Sequence, residues 1–217
     1  KDIIIVNKPA GQLSQGAKGF DLDLVSEVMT YNASQGKPAY AAIINRLDRP
    51  VSGLVLIAKN KSAAAKYSTL MQKEGGFNKE YEALICGKLS EPKGTFVDYL
   101  KKDGRTNTSA VVPSYAAAND KEAKLSKLEY EVISYDEVKD ITHVRIHLIT
   151  GRHHQIRVQF ASRRHPLVGD YKYITADCGM DNAVKAVALK RNQIALCAVS
   201  LTIENETYSI VPDFMPS

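Results

Sequence analysis

The sequence predicts an α+β fold built on a mostly antiparallel mixed β-sheet with flanking helices. Three observations carry this. At least six segments run or alternate apolar in the manner of strands. Only three or four segments show helical spacing. Two of the strands, Ala123–Tyr135 and Ile141–Thr150, are joined by the polar separator Asp136-Glu137-Val138-Lys139-Asp140, which suits a hairpin loop. At 217 residues the chain is one large domain or two small ones, and 44% hydrophobic residues supply material for a core.

Taken in order, Asp2–Val6 is a β-branched strand stopped by Asn7-Lys8-Pro9-Ala10-Gly11, where Pro9 and Gly11 punctuate a turn. Leu22–Tyr31 places Leu22, Leu24, Val25, Val28 and Met29 at helical spacing, and Gly36-Lys37-Pro38 ends that helix. Leu54–Ala58 is an apolar run bounded by Gly53 and Lys59-Asn60, the pattern of a buried strand. Ser62–Lys73 is rich in helix formers, with Asn60 or Ser62 able to cap its start and Gly75-Gly76 its end. Asn78–Gly87 alternates Tyr81, Ala83 and Ile85 with Glu80, Glu82 and Leu84, as a strand does.

Lys101–Thr108 is basic and contains glycine, and reads as an exposed hairpin tip able to touch phosphate. Gly151–Ala161 opens on a strand-to-helix turn, with Ile156 and Phe160 on one helical face. Asp177–Arg191 is a weak helix or loop, Ile194–Ile203 a strand, and Tyr208–Val211 a last strand ended by Pro212.

Composition bounds the function classes. Lys and Arg number 29 against 24 Asp and Glu, with a sequence pI near 9.0, which permits a polyanionic partner such as RNA without requiring one. Cys86, Cys178 and Cys197 lack C-x-x-C spacing and read as free thiols of a reducing compartment, so the protein is expected in the cytoplasm. No signal peptide or membrane-length apolar run is legible. Lys1 leads directly into a strand, so the chain is read as starting at a trimmed boundary, which leaves room for an N-terminal extension. His143 and His147 lie four apart, but on a strand that separates them by about 13 Å, too far to share one metal ion. No metal site is expected there, nor from His153, His154 and His165, which lack a completing ligand.

One stretch carries the chemistry: Asn45-Arg46-Leu47-Asp48-Arg49-Pro50-Val51-Ser52-Gly53. Asp48 lies on a loop entering the buried strand, between Arg46 and Arg49. Two arginines beside one carboxylate favour its ionised form, which can act as nucleophile or base. Taken alone, an Asp–Arg pair of this kind is better read as a loop salt bridge.

R-L-D-x-x-x-S-G followed by L-V-L-I-A-K resembles the central motif of the RluA-type pseudouridine synthases, with Asn45 for the usual His and Val51 for the usual Thr. Three more segments resemble that family in the same order. They are N-K-P-x-G at Asn7–Gly11, K-x-Y-x-A-x-x-x-G at Lys79–Gly87, and G-R-x-H-Q-I-R-V at Gly151–Val158, the last followed by H-P-x-x-G-D-x-x-Y at His165–Tyr173. In the last pair His153 replaces Thr and Gln159 a later His.

The resemblance implies a catalytic domain over residues 1–217, with no S4-like domain legible in it. It implies isomerisation of a uridine in ribosomal or transfer RNA, without cofactor or metal. Asp48 would be the catalytic carboxylate. Tyr81, in isolation an ordinary strand tyrosine, would stack on the uracil, and Arg157 would pair with Asp48. Ile156 would pack on the base, and Arg46 would contact phosphate or fill the gap left by a flipped base. Arg152, His154 and Gln155 would complete the substrate-binding set. The expected partner is RNA, with no membrane and a monomeric protein. An RNA-binding protein that lost catalysis and an unrelated Asp48 hydrolase are the competing classes. Intact Asp48, Tyr81 and Arg157 disfavour the first, and the absence of metal ligands or a Ser-His pairing the second.

Overall fold

A computed structural model describes residues 2–16, 22–73, 75–174, 178–187, 189–190 and 192–215. In chain order the elements are β1 (Ile3–Lys8), α1 (Leu24–Ser34), β2 (Ala42–Ile43), β3 (Ser52–Ala58), α2 (Lys61–Gln72), β4 (Phe77–Cys86), β5 (Lys93–Asp103), β6 (Thr108–Val112), α3 (Ser114–Ala117), β7 (Lys124–Asp136), β8 (Ile141–Leu148), α4 (Gln155–Ala161), α5 (Met180–Val187), β9 (Leu196–Ile203) and β10 (Glu206–Ser209). The predicted α+β class, with strands dominating and helices flanking, is what the structure has. The chain folds as two compact units, one of residues 1–78, 191–193 and 197–213, the other of 79–190, 194–196 and 214–217.

In the first unit β3 is central. It pairs antiparallel with β1, from Ile3 opposite Ala58 to Lys8 opposite Gly53, and with the short β2. Its start runs parallel to β9, Ser52 beside Cys197 and Gly53 beside Ala198. All seven residues of β3 are buried, as its apolar run predicted. Gly53 has φ +123°, and a Cβ there would sit 2.4 Å from the Ala198 nitrogen, so only glycine lets the two backbones meet. β9 turns into β10 through Glu204 and Asn205, both at positive φ. The core joins Leu54, Leu56 and Ala58 of β3 to Ala63 and Tyr67 of α2 and to Leu201 and Ile203 of β9.

Side-chain caps explain the helix starts, the one predicted for α2 and one at α1 that the sequence did not single out. Asn60 accepts from the Ala63 N–H at 2.8 Å and opens α2. Asp23 accepts from Ser26 N–H and caps α1, which therefore begins at Leu24, two residues later than its apolar spacing suggested.

The second unit is an antiparallel sheet in the order β4-β8-β7-β5-β6. The β7–β8 hairpin closes through residues 137–140, as predicted. β5 and β6 form a hairpin whose turn holds Asn107 at φ +52°. The predicted exposed tip is there, but Lys101–Asp103 belong to β5. Helix α4 packs on this sheet, with Phe160 against Phe96 (ring centroids 5.0 Å apart) and Tyr130 (5.9 Å). The weak helix expected over 177–191 is α5, which is shorter; both predicted ends, 177 and 191, lie outside the described residues.

Candidate active site

The loop before β3 is braced from several directions inside the first unit. Asn45 is buried and spliced into the strand backbone. Its Nδ2 donates to Leu54 O at 3.1 Å, and its Oδ1 accepts from Leu56 N–H at 2.7 Å. Buried Ser14 closes both backbone groups of Leu47, donating from Oγ to its carbonyl (2.7 Å) and accepting from its N–H (3.2 Å). Val51 N–H donates back to Asp48 O at 3.1 Å, making the turn. Arg49 donates through Nε to Gly11 O at 2.8 Å, while Gly11 N–H donates to Arg49 O at 2.8 Å. Asp48 is half-buried at the turn, with Arg46 and Arg49 exposed on either side.

The buried cation facing Asp48 is one that residue spacing did not single out. Lys8 ends β1 and is fully buried. Its ammonium donates to Pro9 O and Gln12 O, both at 2.9 Å, with a longer contact to Arg49 O at 3.4 Å. Burial pushes Lys8 down to about 8, partly opposed by the charges of Asp48 and Asp213. A lysine at a strand end next to a turn normally reads as solvent-exposed, and only the converging carbonyls explain why this one is not.

Lys8 yields a prediction with two opposite signs. Its proton supplies the third donor to the carbonyls and the positive charge facing Asp48, so activity is expected to fall above about pH 8. Stability moves the other way. The folded-state value lies below the ordinary 10.5, so the unfolded chain binds the proton more tightly, and the cost of burying Lys8 is relieved between about pH 8 and 10.5. Relative to Lys8→Met, the parent should gain up to about 3 kcal/mol across that window. Urea titrations at several pH values beside a rate–pH profile check this; activity and stability falling together would refute it.

In the second unit, Tyr81 lies on β4, buried and opposite Ile146 of β8. Arg157 lies in α4, all seven of whose residues are buried. It forms a two-pronged ion pair with Asp170, Nε to Oδ2 at 2.7 Å and Nη2 to Oδ1 at 2.8 Å, both side chains being almost wholly buried. The Tyr173 ring lies 5.2 Å from the guanidinium carbon, in cation–π position.

The turn into α4 is held by its own polar groups. His154 stands at the N-cap position at φ +53°, unusual for a residue with a Cβ, and its side chain makes no capping bond. Tyr173 Oη accepts from Ser109 N–H at 2.8 Å and shares a hydrogen bond of 2.6 Å with His154 Nδ1. Ser109 Oγ donates to His153 O, and the two imidazoles stack 3.8 Å apart. Gln155 Oε1 accepts from Thr150 Oγ1 and Arg152 N–H, and its Nε2 donates to Lys127 O.

Of the residues proposed from sequence, Arg46 and Asp48 thus lie in the first unit. Tyr81, Arg152, His154, Gln155, Ile156 and Arg157 lie in the second, all but Tyr81 in or next to one turn. Ile156 is buried in α4, and exposed Arg152 donates from Nε to Leu125 O at 3.0 Å. The structure adds Lys8, Asp170 and Tyr173. All three lay inside motif segments already quoted, but as single letters with no spacing that marked a partner. It also adds Lys79, two residues before Tyr81. Its ammonium lies 3.6 Å from where a Gly151 Cβ would stand, and burial lowers its proton affinity. Among the described residues no three His, Cys, Asp or Glu side chains gather to hold a metal ion, and no helix is long and apolar enough to cross a membrane.

Comparison with known proteins settles the family. Residues 2–162 match the RNA pseudouridylate synthase family. The chain belongs to that family. It is 34% identical over 173 residues to the ribosomal large subunit pseudouridine synthase D of Buchnera aphidicola, covering 79% of this chain and 52% of that protein. It is 33% identical over 172 residues to the synthase C of Rickettsia bellii, covering 79% and 54%. These names bear out the RluA-type resemblance. The chain spans about half the length of these relatives. Among solved structures, human RNA pseudouridylate synthase domain containing 1 superposes with a TM-score of 0.73 at 24% identity, over 98% of this chain and 80% of that one. Domain containing 4 does so with a TM-score of 0.74 at 18% identity, over 97% and 85%. Both likenesses concern the fold.

Within the pseudouridylate synthase family, three of the four departures noted in the motifs have structural occupations here. Asn45 braces β3. His153 stacks on His154. Gln159, fully buried, donates from Nε2 to Asp98 Oδ2 at 2.7 Å.

Proposed function

We propose that residues 1–217 form the catalytic domain of an RNA pseudouridine synthase that isomerises a uridine of ribosomal RNA, with Asp48 as the catalytic carboxylate. The observation that carries this reading is the family match over residues 2–162, which contains all four motif segments up to Arg157. The braced loop around Asp48 supports it, since a reacting carboxylate must be held still. The names of the synthase C and D relatives favour ribosomal over transfer RNA. Cys86, Cys178 and Cys197 are thiols outside any disulfide, which suits a reducing cytoplasm.

In this reading the uridine leaves its stack to reach Asp48, at a cost of a few kcal/mol. Asp48 takes the C2′ proton, or attacks C1′ or the base. The N1–C1′ bond breaks, the uracil turns, C1′–C5 forms, and the C5 proton leaves while N1 regains one. Tyr81 stacks on the base, and its oxygen accepts the C5 proton as the hydroxyl's own proton passes on to solvent. Ile156 packs on the uracil, and Arg157 belongs to the catalytic set. Arg46 replaces the flipped base or contacts phosphate, and Arg152, His154 and Gln155 shape the neighbouring wall.

The test is tritium release from RNA carrying C5-labelled uridine, with ribosomal and transfer RNA as separate substrates and pseudouridine mapped in each. Release from ribosomal RNA at one mapped uridine is expected. Release from transfer RNA alone would correct the substrate, and release from neither would remove the activity. Tyr81→Phe should bind RNA like the parent and release tritium about 10²–10⁴-fold more slowly, the usual worth of a positioned proton acceptor. Release at the parent rate would strip the hydroxyl of that role.

A further inference from the structure

We propose that Asp213, in the segment after β10, is a positioning residue for Asp48, acting through Ser52 and Lys8. The proposal rests on the reading of Asp48 as the catalytic carboxylate. It goes beyond that reading because Asp213 lies outside every motif segment and beyond the residues the family match covers.

Asp213 is tied to the site by two side chains that are themselves buried. Its Oδ1 accepts from Ser52 Oγ at 2.8 Å and from Gln193 Nε2 at 2.9 Å. Ser52 opens β3, four residues after Asp48, at the point where the strand meets β9. A serine hydroxyl has one proton, and here it goes to Asp213. The carboxylate therefore fixes the end of the loop that carries Asp48, 161 residues away in sequence.

The second link is electrostatic. Among the described residues, the titratable groups facing the Lys8 ammonium are Asp48, from the loop before β3, and Asp213, from the segment after β10. Its hydrogen-bond acceptors are the carbonyls of Pro9, Gln12 and Arg49. Both carboxylates help Lys8 keep its proton against burial, and the protonated amine holds the Asn7–Gln12 turn to the Asp48 loop. Asp213 is exposed, so its field on Lys8 is partly screened, whereas its bond to buried Ser52 is not.

Three variants separate the two links. Asp213→Asn keeps an oxygen for Ser52 but removes the charge. The alkaline limb of the rate–pH profile should move to lower pH, by about half a unit or less given the screening, with the neutral-pH rate close to the parent's. Ser52→Ala removes the hydroxyl alone. Its kcat should fall about tenfold, the worth of one hydrogen bond to a charged group, with KM for RNA and the alkaline limb unmoved. Asp213→Ala should show both effects.

Lysine-selective 13Cε NMR of the whole protein follows the Lys8 titration without turnover, and its midpoint should fall in Asp213→Asn. A purely structural role would change stability without moving that midpoint. An unchanged Lys8 titration in Asp213→Asn, or a parent kcat in Asp213→Ala, would overturn the proposal. Asp48→Asn in the same assay separates this from the reading beneath it. Turnover by Asp48→Asn removes the Asp48 assignment itself. An inactive Asp48→Asn beside parent-like Asp213 variants removes only the positioning role.

Discussion

Asp48→Asn is expected to reduce pseudouridine formation to background while leaving the fold and RNA binding in place. The expectation follows from what braces the loop. Asn45, Ser14 and Arg49 hold the backbone on either side of Asp48 through bonds that do not involve its carboxylate. An isosteric amide therefore occupies the same place, half-buried and facing Lys8. It can neither take a proton nor attack a carbon. A proton-transfer role alone is worth about 10²–10⁴-fold, and loss of a nucleophile more. The substitution also removes a negative charge that helps Lys8 stay protonated, so Lys8 should fall further below about 8. Single-turnover pseudouridine mapping, beside RNA binding and a urea titration, checks all three parts. Near-parent turnover would end the assignment of Asp48. Lost binding with lost turnover would make Asp48 a structural residue.

The part of this site legible in the sequence is the part built from adjacent residues. A carboxylate between two arginines before an apolar run can be read directly, and the segment around Arg157 likewise. What could not be read is pairing at a distance. Asp170 lies 13 residues after Arg157, and Ser52 lies 161 before Asp213. Nothing in local spacing tells a carboxylate that closes a buried ion pair from one that faces water. Lys8 shows the same limit from the other side. Lysines are almost never fully buried, so composition argued for solvent, and only the carbonyls of Pro9, Gln12 and Arg49 reverse that.

The fold divides in the same way. β3 was plain because its buried positions include the unbroken apolar run Leu54–Ala58, and the β7–β8 hairpin because Val144, Ile146 and Leu148 alternate with His143, Arg145 and His147. β5 was not, although it is one of the longer strands. Only Phe96 and Leu100 are buried in it, and Lys93, Lys101, Lys102 and Asp103 give its ends the look of a loop. Helix α4 announced one apolar face through Ile156 and Phe160, yet all seven residues are buried. Arg157 and Gln159 go inside because Asp170 and Asp98 receive them, a tertiary fact that helical periodicity does not contain.

Asp170→Asn and Arg157→Met are each expected to destabilise the protein by about 3–5 kcal/mol, the usual cost of leaving one member of a buried ion pair alone. The pair is buried on both sides, at 6% and 2% side-chain exposure, and joined by two parallel bonds. Asn at 170 keeps the shape but offers the guanidinium one neutral oxygen and places an amide N–H₂ against the other nitrogen. Met at 157 leaves the Asp170 carboxylate without its cation and removes the charge over the Tyr173 ring. Arg157→Lys should recover only part, because one ammonium cannot meet both oxygens in the geometry of the fork. The double variant Arg157→Met/Asp170→Leu buries no charge and should regain much of the stability lost by either single change. It should not regain activity if Arg157 acts in catalysis. Urea midpoints with unchanged slopes would report the stability of all four proteins, and tritium release their activity. A double variant as unstable as the singles would show that the cost is lost packing and not an unpaired charge. A double variant with parent turnover would confine Arg157 to the fold of its own unit and remove it from the catalytic set.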